Sequence, residues 1–240
     1  MANLKEIKVK IGSVKNTQKT TKAMKLVSSA KLTRTRQLSE QSRSYAAKIN
    51  EVLSDIAARV SKVQDDGNIG RAFIQNSTPK TVDIVFVTAD KGLCGGFNVV
   101  TIKTVSKLIN EYEAKGVKVR LRAAGKKGVE FFSFQGKTLE QKAIDLSSAP
   151  TYEKASNYIK IAVEDFKNEL TDKVIIVYNG FLNMLTQEIR VKEILPVSLE
   201  KVEISETTSM LNIEPDDDDE VLKELTDKYI DFNMYYALID

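Results

Sequence analysis

A carboxylate, an amine, a thiol and three glycines fall together in Thr88-Ala89-Asp90-Lys91-Gly92-Leu93-Cys94-Gly95-Gly96-Phe97-Asn98, between a strand-like run and a helical pattern. A strand that turns through glycine into a helix is a common seat for phosphate, because the first amides of the helix point outward. The spacing matches neither the phosphate loop, which closes on Gly-Lys-Ser/Thr, nor the dinucleotide pattern Gly-x-Gly-x-x-Gly. The simpler reading is a tight strand-to-helix turn whose glycines permit close packing. A nucleotide- or small-molecule-binding α/β protein with a coiled-coil arm is the alternative. Cys94 sits where a helix N-terminus would activate a thiol nucleophile. No histidine is present to serve as its base, so a buried structural cysteine is expected. The same absence excludes His-based triads and the common zinc sites, and a lone cysteine excludes an internal disulfide. Asp216 to Asp219 lacks the spacing of an EF-hand loop and reads as the solvated start of a helix. These patterns yield no catalytic residue, no cofactor-binding residue and no metal ligand.

The elements that would position this loop divide the chain by period. From residue 3 to about 62 there is no proline and one glycine, Gly12. Apolar residues recur at Leu4, Ile7, Ile11, Val14, Met24, Val27, Leu38, Tyr45, Ile49, Val52 and Ile56, in many places by steps of three and four. One continuous helix of that length spans roughly 90 Å, which points to a coiled-coil limb rather than a globular helix. The seam fades between Lys15 and Lys22, where Asn16, Thr17, Gln18, Thr20 and Thr21 stand instead. A helix with such a stretch needs a partner helix or a surrounding sleeve.

The pattern breaks at Asp65-Asp66-Gly67-Asn68, and Gly70 and Pro79 continue the linker. Val82 to Val87 then reads as a strand buried on both faces. Helical patterns over Val100–Tyr112, Val129–Phe134 and Tyr152–Leu170 alternate with strands at Val117–Ala123, Val174–Tyr178 and Glu188–Val197, the last an edge or antiparallel strand. Alternation of this kind predicts an α/β fold built on an open, mostly parallel, Rossmann-like sheet. A further helix follows Pro215, with a stripe through Leu222, Leu225, Tyr229, Phe232, Tyr236 and Ile239, and the pattern is still running at Asp240. The expected organisation is a shaft helix over 1–65, a linker over 66–80, an α/β domain over 81–200, and an acidic segment with the start of a second, truncated shaft helix over 201–240.

Charge sharpens that division. The chain carries a net +3, but residues 1–48 hold twelve Lys/Arg against Glu6 and Glu40, while residues 200–240 hold thirteen acids against three Lys. A basic limb of this sort meets acidic partners or is a solvated helix face. Nucleic acid is not the expected partner, since no aromatic residue for base stacking precedes Tyr45. Nor does any apolar run approach the roughly 18 residues of a membrane span, and no signal core opens the chain.

Ile11-Gly12-Ser13-Val14-Lys15-Asn16-Thr17-Gln18-Lys19-Thr20-Thr21-Lys22-Ala23-Met24-Lys25-Leu26-Val27-Ser28-Ser29-Ala30-Lys31-Leu32 closely resembles the N-terminal signature of F-type ATP synthase gamma subunits. The loop from Thr88 to Asn98 is similar to that family's Thr-Ser-Asp-Arg-Gly-Leu-Cys-Gly-Gly-Leu-Asn. Gly125-Lys126-Lys127-Gly128 with Phe131-Phe132, Tyr178-Asn179 with Phe181, and Glu214-Pro215-Asp216 follow in family order. The resemblance implies a rotor shaft of two antiparallel helices inside a ring of alpha and beta subunits. Its α/β domain would lie near the epsilon subunit and the c-ring, peripheral to the cytoplasmic face of a bacterial cell membrane.

It further implies that Lys15, Gln18, Lys19, Lys22, Met24 and Lys25 meet the alpha and beta subunits, and that Arg34, Arg36, Ile213 and Glu214 lie near the c-ring and epsilon. Ion flow would turn the rotor, ATP chemistry would belong to alpha and beta, and gamma would carry no cofactor or catalytic residue. Where the family usually has Tyr before Glu-Pro-Asp, this chain has Ile213, which removes any contact made through a Tyr hydroxyl. Family members continue beyond Asp240, so Leu4 to Val27 is expected to lack a coiled-coil partner and to fray alone. The single cysteine argues against the thiol regulation of chloroplast relatives, which needs a cysteine pair.

Overall fold

The computed structural model describes residues 3–60, 72–73, 78–183, 186–197 and 218–240, with the side chains of 43, 46–47, 50–51, 54–60 and 218–220 left aside. The linker reading at Asp65 to Gly70 and the site residues Ile213 and Glu214 fall outside the described residues. Two units divide the chain, residues 1–41 and 42–240.

Helix α1 (Leu4–Val60) runs without interruption through the polar stretch. In the first unit it is a bare helix. Leu4 and Val14 are each 68% exposed, and Ile7, Ile11, Met24 and Val27 are also exposed. The hydroxyls of Thr17, Thr20, Thr21 and Thr33 donate back to the carbonyls of Ser13, Asn16, Thr17 and Ser29, at 2.8 to 3.1 Å. Threonine is a poor helix former partly because its hydroxyl competes for backbone. Here the hydroxyl bonds within the helix it belongs to, so the competition is resolved locally.

The second unit is a five-stranded sheet covered on both faces. Strands β1 (Thr81–Val87), β2 (Lys118–Ala124), β3 (Leu139–Ala143), β4 (Lys173–Phe181) and β5 (Gln187–Leu195) lie in the order β3-β2-β1-β4-β5. The first four are parallel and β5 runs antiparallel to β4 at the edge. The mostly parallel α/β architecture read from the sequence is therefore present. The sequence reading did not include β3, because only Leu139 is buried in an otherwise polar Leu-Glu-Gln-Lys-Ala run. Edge strands keep such composition, and it gives them little hydrophobic signature.

On one face lie α2 (Phe97–Glu113) and α3 (Lys126–Phe134), whose Val105, Ile109 and Phe132 pack on Ile84, Phe86, Leu121, Ile175 and Val177. The Phe132 ring meets Phe86 edge-on at 5.1 Å between centroids, a favoured aromatic geometry. On the other face lie α4 (Tyr152–Lys167) and α5 (Asp218–Ile239), joined by Ile49 and Leu53 from the latter part of α1. Helix α4 starts where the Thr151 side chain accepts the Lys154 amide, with Glu153 in its first turn and Lys167 in its last, charges that suit the helix dipole. Leu170, read as part of the α4 stripe, lies past the helix end and is exposed. Tyr45 packs edge-on against Phe232 of α5 at 5.0 Å.

Candidate functional site

The strand order turns direction between β1 and β4, and in open α/β sheets ligands bind beyond the carboxyl ends of the strands at such a point. The loop 88–98 leaves β1 at this place, so the topology favours the ligand-binding alternative. Its hydrogen bonds do not. Asn98 spends its side-chain oxygen on the Ala89 amide at 2.8 Å, and its NH2 donates to Cys94 Sγ at 3.2 Å. Asn179 at the end of β4 donates to the Phe97 carbonyl at 3.2 Å, bridging the switch point itself. The Thr88 hydroxyl donates to the Gly125 carbonyl and accepts the Gly128 amide. Cys94 is half-buried rather than buried as expected, and its thiol contacts the Lys91 carbonyl at 3.9 Å. These bonds fix the loop's shape and commit the Thr88 hydroxyl, the Ala89 amide and the Asn98 side chain to the fold rather than to a phosphate.

Asp90 is the hub of this arrangement. Its carboxylate accepts the Lys126 and Asp145 amides at 2.8 and 3.1 Å and the Ser147 and Ser148 hydroxyls at 2.8 Å each. Burial pushes the carboxyl up, but the Lys126 amide, the Ser148 and Ser147 hydroxyls and the Asp145 amide outweigh it and hold it below the usual carboxylate range. One side chain thus ties the β1 loop to the start of α3 and to the segment before α4. Gly125 is required beside it. Its φ is +113°, and a Cβ there would fall 1.9 Å from the Thr88 carbonyl oxygen. Leu93, at φ 63° and 92% exposed, is carried outward on this rigid base.

A second charged cluster was not foreseen from the sequence. Asp83 of β1, fully buried, takes the Arg122 Nε at 2.6 Å and lies 3.4 Å from the Arg120 Nε. Both guanidinium groups also bind Asp165 of α4, and Arg122 adds Gln141 of β3 at 3.0 Å. Burial pushes the Asp83 carboxyl above the usual range, against the pull of Arg122 and Arg120. Buried ions of this kind persist only when paired and hydrogen-bonded. The signal lay in Asp83 interrupting the β1 run and in Arg120 and Arg122 alternating on β2. It is a cross-brace between sheet and helix.

The residues read as contacts with alpha and beta all lie on the first unit. Lys15, Gln18, Lys19, Lys22, Met24 and Lys25 are exposed, as are Arg34 and Arg36. Among the described residues no acid pairs with Lys15, Lys19, Lys22 or Lys25, while Arg36 holds Glu40 at 2.8 Å. The helix therefore brings together a row of unneutralised ammonium groups among threonines whose protons are already donated.

The family profile described as ATP synthase matches residues 3–240. The ATP synthase gamma chain of Aliarcobacter butzleri is 81% identical over the whole of this chain, which spans 82% of that relative. Those of Nitratiruptor sp. and Campylobacter curvus are each 55% identical with the same coverage. Among solved structures, a chain from the central stalk and c-ring of the Tetrahymena thermophila mitochondrial ATP synthase superposes with a TM-score of 0.66. That match covers 91% of each chain at 21% identity, so it speaks to the fold.

Proposed function

This chain belongs to the ATP synthase gamma chain family, and from that membership we propose that it is the complex's non-catalytic central rotor. In this role it couples ion-driven rotation of a c-ring to the conformational cycle of the catalytic beta subunits. The single observation that carries the reading is the match of the whole described chain to that family, with the most basic stretch standing bare on a continuous helix.

The physical account follows from the helix surface. A shaft that turns against changing neighbours needs attraction without a fixed register. Ammonium groups on long, flexible stems offer it, since exposed ion pairs are weak, adjustable and screened by salt. Lys15, Lys19, Lys22 and Lys25 would meet acidic loops of alpha and beta, with Gln18 and Met24 between them. The threonines at 17, 20 and 21 would deny a permanent apolar lock. Arg34 and Arg36, with Ile213 and Glu214, would lie towards epsilon and the c-ring. No described helix is long and apolar enough to cross a membrane, which suits a subunit peripheral to the cytoplasmic face of a bacterial cell membrane. ATP hydrolysis and synthesis would take place on alpha and beta, with no cofactor held by this chain. Residues 1–65 would carry the shaft helix, 66–80 the linker, 81–200 the α/β domain, and 201–240 the acidic segment and the start of the second shaft helix, whose described residues pack on the sheet together with Ile49 and Leu53 of α1.

The test is reconstitution with the cognate alpha and beta subunits, followed by ATP hydrolysis. Association and activity that depend on this chain support the reading. Failure to associate, together with ATP binding by the isolated chain, moves attention to the loop 88–98 as a ligand site. Within an active complex, Thr20→Leu with Thr21→Leu is expected to slow hydrolysis, and an unchanged rate removes the argument from the polar stretch.

A further inference from the structure

Helix α5 rests on the core through Ile230, Met234 and Ala237, and its polar contacts fall on either side of that stripe. Towards α4, Asp231 accepts the Ser156 hydroxyl at 2.7 Å and Asp227 pairs with Lys167 at 3.3 Å. Towards β5, Asn233 accepts the Lys192 ammonium at 2.7 Å and Asp240 accepts Arg190. At 100° per residue, the 227/231 pair and the 233/240 pair lie about 150° apart, with the apolar stripe between them. The β5 side is also sterically closed. Asp240 takes the Phe181 amide on its carbonyl and the Tyr236 hydroxyl on its carboxylate. A Cβ on Gly180 would meet Arg190 Nε at 2.6 Å and Asp240 Oδ2 at 2.7 Å.

Apolar burial is non-directional and changes little when a helix rolls a few degrees in its seat, whereas hydrogen bonds weaken steeply with angle. Polar contacts on one flank would resist rolling in one sense only. Contacts on both flanks resist both. We propose that Ser156 and Lys167 on one side, and Arg190 and Lys192 on the other, form a roll lock that fixes the rotational setting of α5 on the sheet. The four are positioning residues: they make no contact with a reacting atom and act by forcing α5 and the α/β unit to turn together. The inference rests on the rotor reading above and adds to it the place where torque passes between sheet and helix. It also explains why lysine and arginine stand at alternate positions of β5, Arg190 and Lys192, on a strand where plain β-branched residues would pack.

The experiment uses membrane vesicles carrying the assembled ATP synthase, and compares ATP synthesis driven by an imposed ion gradient with ATP hydrolysis by the same vesicles. One variant carries Ser156→Ala with Lys167→Gln, a second Arg190→Gln with Lys192→Gln, and a third all four. Because half-exposed charged contacts of this kind bias a seat by only a few fold, losing one flank is expected to lower the synthesis-to-hydrolysis ratio about threefold and losing both about tenfold. Hydrolysis per assembled complex is expected to hold, and Arg190→Lys to keep most of the ratio. Gly180→Ala displaces the Arg190–Asp240 pair without removing a charge and is expected to behave like the second variant, which decides the matter if the fourfold variant does not assemble. An unchanged ratio in these variants overturns the proposal. So does a fall in synthesis and hydrolysis in step with the amount of complex, which is the signature of a merely structural role. Unmodified vesicles whose synthesis does not depend on this chain would overturn the rotor reading instead.

Discussion

The first unit and the second hold their polar groups in opposite ways. Between Leu4 and Gln41 each threonine hydroxyl that bonds does so to its own helix four residues back, and Lys15, Lys19, Lys22 and Lys25 have no acidic partner among the described residues. In the second unit the bonds cross the fold: Asp90 reaches 36 to 58 residues along the chain and Asp83 reaches 39. Local bonds survive whatever the neighbours do. Cross-fold bonds exist only if the fold is intact, so they confer cooperativity and a unique arrangement. A rotor needs both, a surface indifferent to its surroundings and a body that does not deform.

The comparison is easiest to break at Gly125. Gly125→Ala drives a Cβ against the Thr88 backbone in a conformation L-residues avoid, so a loss of about 4 kcal/mol or failure to fold is expected in urea unfolding. Next comes the cross-brace. Arg122→Met alone leaves the buried Asp83 with only the longer Arg120 contact and is expected to cost about 3 kcal/mol, whereas Asp83→Leu with Arg120→Met, Arg122→Met and Asp165→Leu removes every charge of the cluster and is expected to recover most of that loss. A fully neutral variant as unstable as the single one would show that packing, not charge, governs the site.

Asp90→Asn is expected to cost about 1–3 kcal/mol at neutral pH. Because the folded-state pKa of Asp90 is depressed, its contribution is present above the unfolded carboxylate value of 3.8 and is lost as pH falls through the lower folded value. The stability gap between parent and variant should therefore close in acid, and a gap constant with pH would deny the carboxylate its role. The smallest effect belongs to the first unit. Leu4→Ala and Thr20→Ala in the isolated chain are expected to stay within about 0.5 kcal/mol. Amides from 4 to 27 should exchange hydrogen far faster than those of β1. Strong protection at 4–27 would erase the contrast between the units.

Periodicity made the α/β fold legible, because a β-branched run such as Val82 to Val87 and an amphipathic run such as Tyr152 to Phe166 bury what their patterns announce. Composition hid β3, whose polar edge character gives no alternating apolar signal. The site was legible only in part. Exposed lysines on a long helix could be read from sequence, but the occupancy of the loop 88–98 could not. Asp90 finds its partners at Lys126, Asp145, Ser147 and Ser148, and nothing local in the sequence pairs residues so far apart. Cys94 departs from expectation for a different, local reason: it lies half-buried in the turn, where its thiol accepts the Asn98 side-chain amide.

The inward-turned threonine hydroxyls give the helix surface a one-sided vocabulary. With their protons committed to Ser13, Asn16 and Thr17, Thr17, Thr20 and Thr21 present methyls and oxygen lone pairs, and outward donation nearby falls chiefly to side-chain amides and ammonium groups. On the rotor reading proposed above, a carboxylate sliding past would find no free proton on these threonines and would meet cations that travel with it on flexible tethers. Along this stretch the protein would then act as a wetted slip plane, with water supplying the bonds that the two surfaces decline to make.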